Sequence, residues 1–499
     1  MKYVSTRGNF DSVNAAEAIK LGMVPPGGLF VPEGIPVIDS KKLISLAGKG
    51  YREIAREILG MFLTDYLPEE IDECIQKAYN DNNFDHPDMA PLYKLDNSSY
   101  VLELWHGPTA AFKDMALQIM PHFLSRAIEK LGVDRETVIL VATSGDTGKA
   151  ALEGFKNVPG IKIIVFYPYG GVSKVQELQM TTTDGDNTYV VAVRGNFDDC
   201  QNAVKQVFGD EAYNSFLAEK GYELSSANSI NWGRLLPQIV YYFWAYLDLV
   251  GKKVVSQGDK VNFVVPTGNF GNILAGYYAF RMGLPINKLI CASNENRVLT
   301  DFFATGTYDR NREFIKTVSP SMDILISSNL ERFLFEMTGH DAGKISEWLG
   351  QLNREGQFQA DENTRRETER ILSAGYASEE ETLETIRTVF EKYGYTVDTH
   401  TAVGVKVYSD YVRETGDRTV TVLDATANPF KFNRAVLEAL KGEDAIAGKD
   451  EFEILRELEK ITGMETHRGL KNLDSRPVKY DRVSDKGDIK KDIEEILGL

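Results

Sequence analysis

Cysteine is scarce. The 499 residues hold three, Cys74, Cys200 and Cys291, widely spaced and without a CxxC pair. They cannot form a metal cluster by themselves, so no metal site is expected, and buried thiols in a reducing cytoplasm are. Basic charge is also in deficit. Lys and Arg number 56 against 73 Asp and Glu, a formal net charge of −17. That balance argues against nucleic acid and anionic membranes as partners. An anionic ligand would have to be met by local donors, and the acidity itself reads most simply as solubility. No apolar run is long enough to cross a bilayer. The start of the chain carries Lys2, Arg7 and Asp11 and lacks the apolar core of a signal peptide. No internal repeat or low-complexity tract stands out. What remains, 43% apolar and 26% charged, is an ordinary soluble composition, long enough for two or three domains.

The stretch to about Asn97 carries helical patches, such as Ser12–Leu21 stopped by Gly22, and a turn at Pro25-Pro26-Gly27-Gly28. It predicts a separate N-terminal lobe, residues 1–97. From Tyr100 the pattern becomes short apolar runs, each followed by a polar turn and a helix. Val138–Ala142, Val261–Val265 and Thr419–Leu423 read as buried strands. Such alternation predicts an α/β protein with largely parallel sheets covered on both faces, and ligands outside the carboxyl ends of the strands. The segment Ser378–Gly394 is charged and helical, and the tail from about Lys441 ends in an apolar stripe at Ile489, Ile493, Ile496 and Leu497, most simply a packing helix.

Four loops carry chemistry-bearing residues. Gly268-Asn269-Phe270-Gly271-Asn272, between strand and helix, lets backbone N–H groups converge on an anion. It matches neither GxGxxG nor the P-loop, and alone it is evenly balanced against a plain glycine turn. Ser144-Gly145-Asp146-Thr147-Gly148 suits a small polar ligand such as an amino-acid carboxylate. It equally suits a helix start capped by Ser144 or Asp146. In Asn228-Ser229-Ile230-Asn231-Trp232-Gly233-Arg234, Ser229 could cap a helix continuing to Tyr246, with Arg234 near its positive end, an arrangement fit for a phosphate dianion or simply a solvated Arg. In His106-Gly107-Pro108-Thr109-Ala110-Ala111-Phe112-Lys113-Asp114, small and apolar neighbours suggest a partly buried Lys113, an amine freed for Schiff-base chemistry. The bland alternative is a lysine paired with Asp114.

In this order, the four loops resemble the threonine synthase family of the tryptophan-synthase-β-like (fold type II) pyridoxal-phosphate (PLP) enzymes. Gly27-Gly28-Leu29-Phe30-Val31-Pro32-Glu33, Phe197-Asp198-Asp199-Cys200-Gln201, Ser327-Ser328-Asn329-Leu330-Glu331-Arg332 and His400-Thr401-Ala402-Val403-Gly404 extend the likeness to about Phe432. The resemblance implies two open parallel-sheet domains plus an N-terminal lobe. The large PLP-binding domain would take 98–134 and 216–440, a small α/β domain 135–215, and a C-terminal helical extension 441–499.

The resemblance also implies roles. Lys113 would carry PLP covalently and serve as the main acid/base. Gly268, Asn269, Phe270, Gly271 and Asn272 would bind the cofactor phosphate, Thr426 would face the pyridine nitrogen, and Asp146 would lie near the phenolic oxygen. Ser144, Gly145 and Thr147 would hold the substrate carboxylate. Asn228, Ser229 and Arg234 would clasp the phosphate of O-phosphohomoserine, which the family converts with water to threonine and phosphate. The chain departs from the family pattern at Asn428 and Phe430, where His-Pro-Ala is usual, and at Thr399, usually Pro. A PLP lyase or deaminase releasing a 2-oxo acid, and a catalytically silent ligand-binding homologue, are the competing expectations. Oligomeric state is left between monomer and homodimer.

Overall fold

The computed structural model describes residues 1–499 except Pro26, Ser144 and the side chain of Asp198. Two sheets organise it. The larger has the strand order Leu372–Tyr376, Ile286–Ser293, Val261–Pro266, Thr421–Ala425, Ser99–Glu103, Leu92–Lys94. All its neighbours run parallel except the terminal Leu92–Lys94, which is antiparallel to Ser99–Glu103. The smaller sheet, Val483–Asp485, Thr188–Arg194, Ile161–Pro168, Glu136–Ala142, Tyr222–Ser225, is parallel throughout. The expected α/β class with two open, mainly parallel sheets is observed.

The inner strands read as apolar runs because helices cover both faces. Every residue of Val261–Pro266 is buried. The helix Gln238–Gly251 is apolar almost all round and runs through the core. Packed against it are the helices Tyr51–Phe62 and Gly271–Arg281. Its Tyr241, Tyr242, Phe243 and Tyr246 are fully buried, each such side chain contributing roughly 1.5–3 kcal/mol by leaving water.

The N-terminal segment pairs Tyr3–Ser5 antiparallel with Phe30–Pro32 and adds the helices Ala15–Leu21, Tyr51–Phe62 and Pro68–Ala78. It is anchored to the chain after Lys113: the Tyr79 hydroxyl donates to Met115 O at 2.6 Å and that of Tyr66 to Phe123 O at 2.9 Å.

The smaller sheet takes in two strands from outside 135–215. Tyr222–Ser225 extends one edge and Val483–Asp485 the other. Both are too short to advertise themselves in sequence. The tail helix Ile489–Leu497 then buries Ile489, Ile493 and Leu497 against Val191, Val193 and Cys200 of this sheet and its covering helix, as its apolar stripe suggests.

Candidate active site

Five segments leave the carboxyl ends of parallel strands and converge between the two sheets. Ser99–Glu103 and Thr421–Ala425 are in register, Glu103 opposite Ala425, so the loop to Lys113 and the segment from Thr426 emerge side by side. Phe112 N donates to Thr426 O at 2.8 Å, Asn428 N donates to Ala110 O at 3.0 Å, and Ala111 bridges Ala427. Ala110 sits in the left-handed region at φ 60°, a conformation that costs about 1 kcal/mol and persists here because the stitching fixes it.

Asp114 does not pair with Lys113. It turns inward, fully buried, and its carboxylate accepts from Thr109 N and Thr109 Oγ1, both at 2.8 Å. Burial pushes its carboxyl up to about 6 against the pull of those two bonds. Lys113 instead reaches Asp146 on the other sheet, Nζ to Oδ2 3.7 Å, with 11% of its side chain exposed. Burial pushes its ammonium down to about 8; Asp146 opposes the fall, and Lys431 and Arg234 add to it. Near neutral pH the residue therefore carries a usable fraction of free amine.

Asp146 opens the helix Asp146–Phe155. Thr143, not Asp146, serves the exposed backbone there, its Oγ1 accepting from Gly145 N and Gly148 N at 2.9 Å each. Asp146 is thus spared for the site. Gly145 has φ 131°, and a Cβ on it would fall 2.5 Å from the Gln176 amide. That amide donates to Asp146 Oδ1 and Ser321 Oγ donates to Asp146 Oδ2, each at 3.0 Å, while Lys431 Nζ lies 3.0 Å from Oδ1. Burial alone would raise this carboxyl; Lys431, then Lys113, with Gln176 and His400, hold it far below the usual carboxylate range. Ser144 lies outside the described residues.

The fourth segment, Gly268–Asn272, starts the helix Gly271–Arg281 through Phe270 in the left-handed region at φ 62°. A Cβ on Gly268 would meet Ser321 O at 2.5 Å, so this turn presses against the residue that holds Asp146. The Asn272 side chain is committed to its own scaffold. Its Nδ2 donates to Asp424 Oδ2 at 3.0 Å, and its Oδ1 accepts from Tyr241 and Tyr242 at 2.6 and 2.7 Å. What the turn offers a ligand is its backbone N–H groups at a helix start, an anion site by construction.

The fifth segment, Asn228–Arg234, differs from expectation. No helix runs from Ser229 to Tyr246. Asn231 caps a short helix, Trp232–Leu235, by accepting from Gly233 N at 2.8 Å, and Pro237 precedes the long helix Gln238–Gly251. Pro has no N–H to continue the ladder, which is why the run divides there. Arg234 is nevertheless buried. Its Nη1 donates to Ala227 O at 3.0 Å, and its Nε has no partner among the described residues. Burial pushes its guanidinium down to about 10. Among the described residues no carboxylate answers this cation, an arrangement that suits an incoming anion.

Ser327, Ser328 and Asn329 tie the fourth and fifth segments together. Ser327 Oγ donates to Gly268 O at 2.7 Å, Ser328 Oγ lies 3.2 Å from Asn269 Oδ1 and 3.3 Å from Ser229 Oγ, and Asn329 Nδ2 donates to Ser229 O at 3.1 Å. Thr147 and Asn228 are half-buried, and their side chains make no hydrogen bond among the described residues. Thr426 is 5% exposed beside the Lys113 loop.

Three functional neighbours carried no role in the sequence reading: Gln176, Ser321 and Lys431. His400, seen only as part of a motif, accepts from Ser321 N through Nε2 at 3.1 Å and keeps Nδ1 2.9 Å from Asp398 Oδ1. A signal for Lys431 was available, since Thr426-Ala427-Asn428-Pro429-Phe430-Lys431-Phe432 lies within the stretch that resembles the family. Gln176 and Ser321 had none. Of the departures from the family pattern, Asn428 caps the next turn by accepting from Phe430 N at 3.0 Å, Phe430 is fully buried, and Thr399 is buried beside His400.

Three family models match in sequence: "Threonine synthase N terminus" over residues 2–79, "Pyridoxal-phosphate dependent enzyme" over 84–358, and "Threonine synthase, C-terminal" over 401–491. Threonine synthase-like 1 of Homo sapiens is 43% identical over 437 residues, 85% of this chain but 58% of that protein. The chain thus spans less than two thirds of the threonine synthase-like 1 relatives it matches. The threonine synthase of Pseudomonas aeruginosa is 39% identical over 444 residues, covering 89% of this chain and 91% of that one. The crystal structure of PLP-bound threonine synthase from Brucella melitensis superposes with a TM-score of 0.88 at 37% identity, covering 99% of each chain.

Proposed function

Since the chain belongs to the threonine synthase family of pyridoxal-phosphate-dependent enzymes, we propose that it converts O-phosphohomoserine and water to L-threonine and phosphate. The observation that carries this reading is a pair of unlike poles in one cleft. One is the Lys113 amine, held down to about 8. The other is the buried Arg234 guanidinium with an unanswered Nε. A reaction on a phosphorylated amino acid needs both.

The residues present fit the cofactor. Lys113 would hold it covalently, the backbone of Gly268–Asn272 would take its phosphate, Thr426 would face its ring nitrogen, and Asp146 would lie near its phenolic oxygen. Bound there, it would supply the electron sink that makes protons at Cα and Cβ removable. The protein's own groups do the rest. A long-stemmed amine such as Lys113 can reach Cα, Cβ and Cγ in turn and move a proton at each, which a fixed carboxylate could not. Gly145 and Thr147, with Ser144, would orient the substrate carboxylate. Arg234, Asn228 and Ser229 would hold the phosphate before and after it leaves Cγ, keeping it out of bulk water until a hydroxyl has been added at Cβ. The cytoplasmic setting belongs to the same proposal, and the buried thiols of Cys74, Cys200 and Cys291 support it.

A second reading has one observation in its favour: relatives at 42–44% identity bear the name threonine synthase-like 1. A lyase that releases phosphate and a 2-oxo acid would need the same two poles. Incubation of the PLP-loaded protein with phosphohomoserine, following phosphate, threonine and 2-oxobutyrate together, separates the two. Phosphate and threonine in equal amounts support the proposal, and 2-oxobutyrate in place of threonine overturns it. Protein that binds no PLP and releases no phosphate would point instead to a silent homologue.

A further inference from the structure

Two lysines face one carboxylate in this centre, and they are not equivalent. Lys113 stands 3.7 Å from Asp146 Oδ2 with part of its side chain exposed. Lys431 is wholly enclosed, 3.0 Å from Asp146 Oδ1, and its Nζ also donates to Thr109 O at 2.9 Å. An ammonium has three protons to give, and Lys431 has two of them placed on partners that are themselves fixed. Thr109 is pinned by Asp114 through both its N–H and its hydroxyl. Asp146 is pinned by Gln176 and Ser321. The turn that carries Lys431, Pro429–Phe432, is capped by Asn428, whose own N–H is bonded to Ala110 O. Lys431 therefore joins three pieces of chain: the loop to Lys113, the start of the helix on the smaller sheet, and the segment after Thr426.

We propose that Lys431 is a positioning residue of the centre: it clamps Asp146 to the Lys113 loop and neutralises it, so that the Lys113 amine meets a carboxylate whose charge is already answered. This rests on the reading of Lys113 as the reactive amine. An unanswered carboxylate at 3.7 Å in a poorly hydrated cleft would keep Lys113 as an ammonium, which is no base and no nucleophile. With Lys431 on the opposite oxygen, Asp146 keeps its geometry without that effect. Lys431 is wholly enclosed and held by fixed partners, which leaves Lys113, with part of its side chain exposed, as the lysine a ligand can reach.

The test is the pH dependence of Lys113 labelling in the apoprotein. Trinitrobenzenesulfonate reacts with neutral amines, and the Lys113 peptide is quantified by mass spectrometry. Wild type should give a midpoint near 8. Lys431→Met should move it upward by about one unit, a roughly tenfold loss of neutral amine at a fixed pH below the midpoint. Lys431→Arg, which keeps the charge, should restore most of the wild-type profile, a rescue that a purely structural role would not give. In the holoenzyme the pH at which the visible band of bound cofactor changes should shift in the same sense. A folded Lys431→Met protein with the wild-type midpoint overturns the proposal. Should that variant fail to fold, Lys431→Gln takes its place with Asp146 intact: a midpoint raised above that of the wild type supports the proposal, and a wild-type midpoint overturns it. Borohydride reduction of the holoenzyme keeps the two readings apart. Attachment of cofactor to a lysine other than Lys113 would overturn the functional reading, whereas attachment to Lys113 with an unmoved midpoint would overturn the role of Lys431 alone.

Discussion

Lys113 and Asp146 approach each other from different sheets, amine to carboxylate at 3.7 Å. Their meeting makes a cleft between two sheets into one centre. Lys113→Ala should therefore remove phosphate release almost entirely, by at least about 10³-fold in kcat, with the melting temperature little changed. Activity within tenfold of wild type would show that another group does the chemistry.

Arg234 is a buried cation without a counter-charge among the described residues, so its partner is expected to be the substrate's phosphate. Arg234→Ala should raise KM for phosphohomoserine by about 10–100-fold, the roughly 1.5–3 kcal/mol of a charged hydrogen bond, with a smaller change in kcat. Inorganic phosphate should raise the melting temperature of the wild type and leave that of the variant where it was. Equal phosphate stabilisation of both proteins would move the anion site elsewhere.

Asp424 gives a stability prediction with a definite sign. Burial pushes its carboxyl up to about 7, against hydrogen bonds from Asn272 and Tyr242, and its Oδ1 has no partner among the described residues. The folded state thus keeps a proton that the unfolded chain releases near 4. Stability is fully present below that lower value, declines as pH rises, and levels off once pH passes about 7, a loss of roughly 4 kcal/mol. Asp424→Asn keeps an acceptor for Asn272 without the ionisation. Denaturant titrations from pH 4 to 8 should show a flatter profile for the variant and greater stability than wild type at pH 8. Parallel profiles would refute the assignment.

His106 sits between Asp85 Oδ1 at 2.6 Å and Glu103 Oε2 at 2.9 Å, and Asp85 Oδ2 lies 3.1 Å from His467 Nε2. Burial would lower the imidazolium; Asp85 and Glu103 outweigh it and raise it above its ordinary value. Its contribution is fully present below about 6.5 and is lost as pH rises through the raised folded value. Because the cluster docks the segment around His467 onto the Lys113 loop, limited proteolysis between Met464 and Arg476 should speed up with rising pH in the wild type and lose that dependence in His106→Gln. Cleavage there independent of pH in the wild type would show that the cluster does not hold the segment.

The strand-turn-helix units were legible because parallel strands buried on both faces are apolar runs, and because Gly145 and Gly268 stand where a side chain would collide. The pairing of Lys113 was not legible. Sequence adjacency favours Asp114, yet Asp114 is consumed by Thr109, and only the folded chain brings Asp146 across. The helix expected from Ser229 failed because Asn231 offered a better cap three residues from Arg234 and Pro237 broke the ladder. Gln176 and Ser321 are ordinary polar residues whose part in the site arises from tertiary approach alone. Lys431 could be read as a motif member but not as a partner of Asp146.

The outer strand Val483–Asp485 also bears on how the protein is made. Asp485 lies beside Arg194 across 291 residues of sequence. During synthesis the edge of Thr188–Arg194 stays bare while all that intervening chain is added, and a bare parallel edge is a template for a foreign strand. Nascent chains stalled or cleaved before that point should be held by chaperones or aggregate, even though every residue of the candidate site has already been translated.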